Sequence, residues 1–413
     1  MKLSKILQTF ERKQLADIPA AVHTAMKGTG LALPKGARVA VTAGSRGIAN
    51  IAVILKSVCG VVREMGGEPF IVPAMGSHGG ATAEGQQAII EDYGVTEAFV
   101  GAPILSSMKV AELDSEGLGH RMFMDRHAYE SHGVIIVNRV KIHTDFHGPF
   151  ESGMMKMCVI GLGKHAQALE MHSFGSNGLR DKMPPAARRI IESGKILMGV
   201  GILENAYDET ADIRAALPQD IEKTELEMLD WNRAHMPSLP VDDVDVLIVD
   251  RIGKDISGVC MDSNIIGRLR VLGVPEPVRP RIKMIIADDL TEETHGNASG
   301  MGLADLITEK LRSKIDFAAT YENVLTSSFT ARGSMPVVVK NALEGLRQSA
   351  RSCGYGVSGM DELRVMRIRD TLHLSEVYVS DSLLADVSLC KNAEITGLSM
   401  EAFDGQGELV AWA

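Results

Sequence analysis

Between Val137 and Ser173 the chain packs Arg139, Lys141, His143, Asp145, His147, Glu151, Lys156, His165 and His172 into one run directly after an apolar segment, HGVIIVN. Seven of the twelve histidines lie between His120 and His172, well above an even scatter. Imidazole, ammonium and carboxylate groups beside a buried strand lose hydration unless they are paired, so this density reads as the floor of a site. His143 stands two residues before Asp145, whose carboxylate could orient the imidazole. Lys156 sits among apolar neighbours in GMMKMCVIGLG, where an amine gives up its charge readily and becomes a nucleophile. The plainer reading is a lysine snorkelling from an amphipathic helix. A continuous helix would put His172 about 24 Å from Lys156, so the two share a ligand only if Gly161 and Gly163 fold the chain back. His165 and His172 share a helix face without the i, i+4 spacing of a zincin. A metal cage built from protein ligands alone is therefore disfavoured; a single histidine completing a metal held by an organic cofactor fits.

The elements that must position these groups read as α/β. ARVAVTA at 37–43 is a buried strand, GSRG a turn, 48–65 a helix, 68–74 a second strand, and 83–93 a helix after MGSHGGATAEG. Strands alternating with helices predict a mostly parallel sheet, whose ligands bind beyond the carboxyl ends of the strands. Three polar loops leave strands in this half, around Arg46, His78 and His143, and all are expected at one crevice. In the first, Gly44, Ser45 and Arg46 could cradle an anion, with Arg46 gripping a carboxylate, although a structural turn explains the loop equally well. In the second, Gly76 and Ser77 let backbone approach a ligand and His78 could act as a general base. A loop histidine is more often a surface or capping residue, and Thr82 or the glycines could simply cap the next helix.

Further elements are expected as a helix over 6–26, a helix over 188–193, a strand over 196–202 and a helix over 219–233. MPSLPVD at 236–242 reads as a linker, dividing a domain 1–238 from a domain 239–413, with the last twenty residues or so returning to the first. In the second domain, strands are expected at 244–250, 281–287 and 363–368, and helices at 303–314 and 337–349. Its loop IGKDISGVCMDSN places Lys254, Asp255 and Asn264 where they could close over a substrate; a plain βα loop with a helix cap is as good a reading.

Composition sets the bounds. The 413 residues are 45% hydrophobic and 23% charged, with a net charge of -10, which argues against a nucleic-acid partner. The five cysteines form no CxxC pair, which fits reduced thiols in a cytoplasm. No secretory signal and no membrane-length apolar run is expected.

The order of an arginine loop, a Gly-Ser-His loop, a strand followed by His143, the buried Lys156 and His172 sixteen residues later resembles the nickel-pincer lactate racemase family, over roughly residues 36 to 175. The resemblance implies two α/β domains with mostly parallel, Rossmann-like sheets and an active site in the cleft between them. It implies a racemase or epimerase that inverts C2 of a 2-hydroxy acid. The cofactor would be the nickel-pincer nucleotide, a pyridinium-3,5-bisthiocarboxylic acid mononucleotide carrying nickel and supplied by its own synthesis enzymes. Lys156 would be its covalent attachment through a thioamide, His172 the metal ligand, and Gly44, Ser45, Gly76 and Ser77 its cradle. His78 and His143 would be the acid–base pair on opposite faces of the substrate, and Arg46 the carboxylate clamp. One histidine would take the hydroxyl proton as hydride leaves C2, and return of hydride to the other face inverts the centre. The sequence departs from the family at Gly79, where the lactate enzymes carry arginine, and at Ala43, where they carry an acid. HTDFHGPFESG is longer and more polar, so Asp145, His147 and Glu151 could bind a hydroxy acid more polar than lactate, such as a sugar acid. Two other classes stand beside this reading: a cofactor carrier without turnover, and a cofactor-free hydrolase, which the lack of a GxSxG elbow disfavours.

Overall fold

RVAVTA, EPFIVP and GVIIVNR are apolar at nearly every position, the pattern of strands covered on both faces. In the computed structural model, which describes every residue except Arg46, Ser176, Val357, Ser358 and Ala413, they form the strands Arg38–Ala43, Glu68–Pro73 and Gly133–Arg139. With Ile196–Glu204 they make a parallel sheet in the order Glu68–Pro73, Arg38–Ala43, Gly133–Arg139, Ile196–Glu204, and Thr210–Ala216 closes one edge antiparallel. Helix Ile51–Glu64 buries Ile54, Leu55, Val58 and Val62 along one stripe, the spacing of a helix packed by one face. After Arg38–Ala43 the chain adds a neighbour on one side and later one on the other. Strand order therefore reverses there, and the loops leaving the carboxyl ends splay apart. This sheet belongs to a unit spanning Glu11–Met236.

The second unit comprises Pro237–Ala413 together with Met1–Phe10. Its eight-stranded sheet runs Val337–Val339, Leu306–Thr308, Arg281–Leu290, Asp243–Ile252, Val365–Ile368, Glu376–Val379, Lys2–Gln8, Ala393–Glu401. The first five are parallel and the last three antiparallel. The molecule is thus mixed α/β with largely parallel sheets. Among the described residues no helix is long and apolar enough to cross a membrane.

Several expectations fail for one reason, pairing with a distant partner. Ile6 starts no helix: Lys2–Gln8 is a strand with Leu3 and Ile6 fully buried. The helix begins only at Ile18–Gly28, where the Asp17 carboxylate accepts from Ala20 N at 2.9 Å and Pro19 occupies the first turn. The end of the chain does not return to the first domain; Ala393–Glu401 pairs with Lys2–Gln8, so the beginning of the chain crosses to the second unit instead. The spans 303–314 and 337–349 open with the strands Leu306–Thr308 and Val337–Val339, and helices follow only after the caps Thr308 and Asn341. β-branched residues beside a buried parallel neighbour override helical periodicity.

Candidate active site at the strand-order reversal

Ser45 and His78 leave neighbouring strands and meet: Ser45 Oγ shares a hydrogen bond with His78 Nδ1, and Tyr93 Oη donates to Ser45 O at 3.1 Å. Gly76 takes a left-handed φ of 62° and a Cβ there would stand 3.2 Å from Ile160 Cγ2. The turn that carries Ser77 and His78 therefore lies against the helical segment that carries Lys156 and tolerates only glycine. Gly44 approaches the same segment, since a Cβ would meet Met157 Cε at 3.3 Å. Gly79 has φ 66° and no room for any side chain, because a Cβ would lie 2.5 Å from Gly85 C. Local packing thus requires glycine at this position. Thr82 caps helix Ala83–Asp92, accepting from Gly85 N at 3.1 Å. The expected role of Arg46 falls on a residue outside the described ones.

On the other side of Arg38–Ala43, His143 Nε2 hydrogen-bonds Lys156 Nζ. His143 Nδ1 accepts from Asp145 N at 3.0 Å, while the Asp145 carboxylate stands 3.7 Å away. The main-chain N–H thus holds the ring at hydrogen-bond distance, with the expected carboxylate at ion-pair distance beside it. With Nδ1 accepting, the neutral ring carries its proton on Nε2, so the contact with Lys156 is complete when the amine acts as acceptor. Phe146 packs on the imidazole at 4.6 Å between centroids and lies 6.0 Å from Lys156 Nζ. Glu151, fully buried, accepts from His143 N at 2.6 Å, Arg233 Nη2 at 3.0 Å and His147 Nδ1 at 3.3 Å. It braces the His143 loop from inside instead of facing a ligand.

Burial lowers the His172 pKa first, the Lys156 charge lowers it further, and Asp145 opposes both. His172 is therefore held neutral, the form that binds a metal. The chain reaches it through a break, but the glycines do not supply the turn. Lys164 itself takes φ 56°, whereas Gly161 is required by close approach, a Cβ there lying 2.9 Å from Ala74 O. His165 keeps a buried Nδ1 without a hydrogen-bond partner.

Lys164 is completely buried, in an ion pair with Asp125 at 3.3 Å, and it donates to Pro73 O and to Gln86 Oε1 at 3.1 Å. Gln86 Nε2 in turn donates to Gly76 O at 2.9 Å and His78 O at 3.2 Å. This network ties the His78 turn to the core. Burial moves both charges toward neutrality, raising Asp125 and lowering Lys164. Lys164→Met strands the carboxylate and should destabilise the protein by about 3 kcal/mol in urea denaturation. The double variant Lys164→Met/Asp125→Leu should recover part of that; equal losses in both would mean that the pair itself is not what matters.

Glu225 supports Lys156 in a similar way. It sits on the buried stripe of helix Ile221–His235, accepts from Met155 N at 2.8 Å, and leaves space only for glycine at 153, where a Cβ would lie 2.5 Å from its Cδ. Burial pushes its carboxyl up to about 7 from 4.5, against the pull of the Met155 and Met154 N–H groups. A folded pKa above the unfolded one stabilises fully below pH 4.5, and the benefit fades as pH rises to about 7. Relative to Glu225→Gln, the wild-type Tm should therefore fall across that window; parallel Tm curves would remove Glu225 from the pH dependence.

Lys254 and Asp255 lie in the second unit and are engaged within it. Lys254 Nζ donates to Gly258 O at 2.8 Å and Asn323 Oδ1 at 2.6 Å, and Asp255 Oδ1 accepts from Thr291 Oγ1 at 2.5 Å. Asn264 N and Nδ2 donate to Asp262 Oδ1, a helix start. The sequence reading missed Gln86, Lys164, Phe146 and Glu225. For Glu225 a signal existed: Ile221, Glu225, Leu229 and Asn232 fall on one helix face, an acid within an apolar stripe.

No protein-family model matches this sequence, and no curated protein matches it. Among solved structures, the lactate racemase apoprotein from Thermoanaerobacterium thermosaccharolyticum is similar in fold, with a TM-score of 0.53 over 90% of this chain and 98% of that one at 9% identity. A protein from Thermotoga maritima matches 68% of this chain and 72% of its own at a TM-score of 0.48 and 12% identity. The fold is thus a two-unit α/β arrangement like that of a lactate racemase apoprotein, a distant relationship of architecture.

Proposed function

We propose that this protein is an isomerase that inverts C2 of a 2-hydroxy acid with a lysine-bound nickel-pincer nucleotide. The observation that carries the reading is the placement of two histidines on loops from the strands flanking Arg38–Ala43, one of them in hydrogen-bond contact with a half-buried lysine. The donor set fits the group. Among the described residues no three or more His, Cys, Asp or Glu side chains gather to hold a metal, so His172 offers a single neutral nitrogen to a metal whose other ligands are organic. Lys156, against a proton-bearing His143 Nε2, presents an amine suited to covalent attachment. When bound, the group supplies a reversible hydride acceptor at the substrate carbon.

The chain's own residues do the rest. Ser45 holds the His78 ring through Nδ1, so Nε2 of that ring is presented to the hydroxyl proton, and His143 is assigned the second acid–base role, its Nε2 being released once the Lys156 nitrogen is taken up in the covalent linkage. Two such bases approaching from either side let the reaction run in both directions. Arg46 is assigned the substrate carboxylate, with Gly44, Ser45, Gly76 and Ser77 against the nucleotide and Asp145 as a substrate contact. The half-buried Asp145 and the exposed His147 favour a hydroxy acid with more hydroxyls than lactate. The deciding experiment is the mass of the Lys156 peptide together with nickel content, for protein made alongside the cofactor-synthesis enzymes. An adduct with about one nickel per chain supports the reading. An unmodified lysine without nickel, beside a loaded control enzyme, would refute it.

A further inference from the structure

The second unit has its own strand-order reversal, between Asp243–Ile252 and Val365–Ile368. There the carboxyl ends of the strands and the tail Leu409–Trp412 line a crevice of about 440 Å³, within the range of small-ligand pockets. Arg367, 1% exposed, forks onto Asp250 at 2.8 and 2.7 Å and donates to Val410 O at 2.8 Å, yet its Nη1 has no hydrogen-bond partner. Asp288, 3% exposed, accepts from Lys310 Nζ at 2.9 Å through Oδ2 and keeps Oδ1 without a hydrogen-bond partner. Arg369 is exposed, forms no ion pair among the described residues, and lies 5.0 Å from the Trp412 ring, whose Nε1 donates to Asp250 Oδ2 at 2.5 Å. Unpaired charged atoms in a wall otherwise saturated with ion pairs mark a place built for a polar occupant.

We propose that this crevice binds a small mono-anionic hydroxy-carboxylate, its carboxylate against Arg367 and Arg369 and its hydroxyl donating to Asp288. Guanidinium groups match the planar carboxylate. Arg251 is held by Asp370 at 3.0 Å, Lys310 by Asp288 and Asp289 at 2.9 and 3.2 Å, and Arg367 by Asp250 at 2.7 Å, so Arg369 is the lining cation without an ion pair among the described residues, one positive charge for one negative charge on the ligand. A phosphate dianion would set surplus charge beside Asp288, and an apolar ligand would leave both orphaned atoms unpaired. The carboxylates do not converge on a metal. The inference stands independently of the isomerase reading, since every residue in it belongs to the second unit.

Trp412 and Trp231 are the protein's two tryptophans, so the full chain carrying Trp231→Phe reports this crevice by Trp412 fluorescence alone. Glycerate should give a saturable change, and Arg369→Ala, at an exposed position that should fold normally, should weaken it about tenfold or more. Acetate, without the hydroxyl, should bind more weakly than glycerate. The proposal is overturned if no saturable change occurs up to about 10 mM, if Arg369→Ala titrates like its parent, or if acetate or inorganic phosphate binds as tightly as glycerate.

Discussion

Lys156→Ala, expressed with the cofactor-synthesis enzymes, is expected to carry no adduct and to retain nickel at far below one atom per chain. The side chain projects from a short helical segment whose neighbours Met154, Met155, Met157 and Cys158 are buried. Alanine keeps the helix and removes only a half-buried stem, so the fold should survive and the loss should be chemical. Lys156→Arg makes the test sharper. It keeps a long nitrogen-bearing side chain beside His143 but offers a guanidinium that does not become a nucleophilic amine, so the adduct should again be absent. Intact mass and metal analysis read the outcome. An adduct of unchanged mass on Lys156→Ala would move the attachment to another residue and sink the assignment.

The second large effect concerns the histidines. His78→Ala and His143→Ala should each lower interconversion of the substrate enantiomers by about 10²- to 10⁴-fold, the range lost with one acid–base group. Each variant should keep the Lys156 adduct, which separates turnover from loading. His143 also touches Lys156, so its variant is best compared after matching adduct content by mass. Full activity in either single variant would remove that histidine from the mechanism. Full cofactor content in both variants, with no turnover even in the loaded wild type, would favour a carrier of the nucleotide over an enzyme.

The strands Arg38–Ala43, Glu68–Pro73 and Gly133–Arg139 were legible because buried parallel strands are apolar at almost every position. The pairing of His143 with Lys156 was not, since they stand thirteen positions apart along a mostly irregular stretch and only the fold sets their distance. The carboxylate of Asp145 looked like the natural partner of His143 by proximity in sequence. The main-chain N–H of the same residue makes the hydrogen bond at 3.0 Å, with the carboxylate 3.7 Å from the ring.

What the sequence alone determined is the alternation of strands and helices, the breakpoint near Met236, and the set of residue types available for acid–base, nucleophilic and metal chemistry. These follow from local periodicity and composition, which need no knowledge of distant contacts. Tertiary structure alone decided that Lys2–Gln8 belongs with the second unit, that Lys164 and Gln86 brace the His78 turn, that Glu225 reaches the start of the Lys156 helix, and that a second crevice opens under Trp412. Each of these is a pairing across tens to hundreds of residues. Such contacts are chosen by burial and hydrogen-bond satisfaction in the whole molecule, which no window of sequence contains.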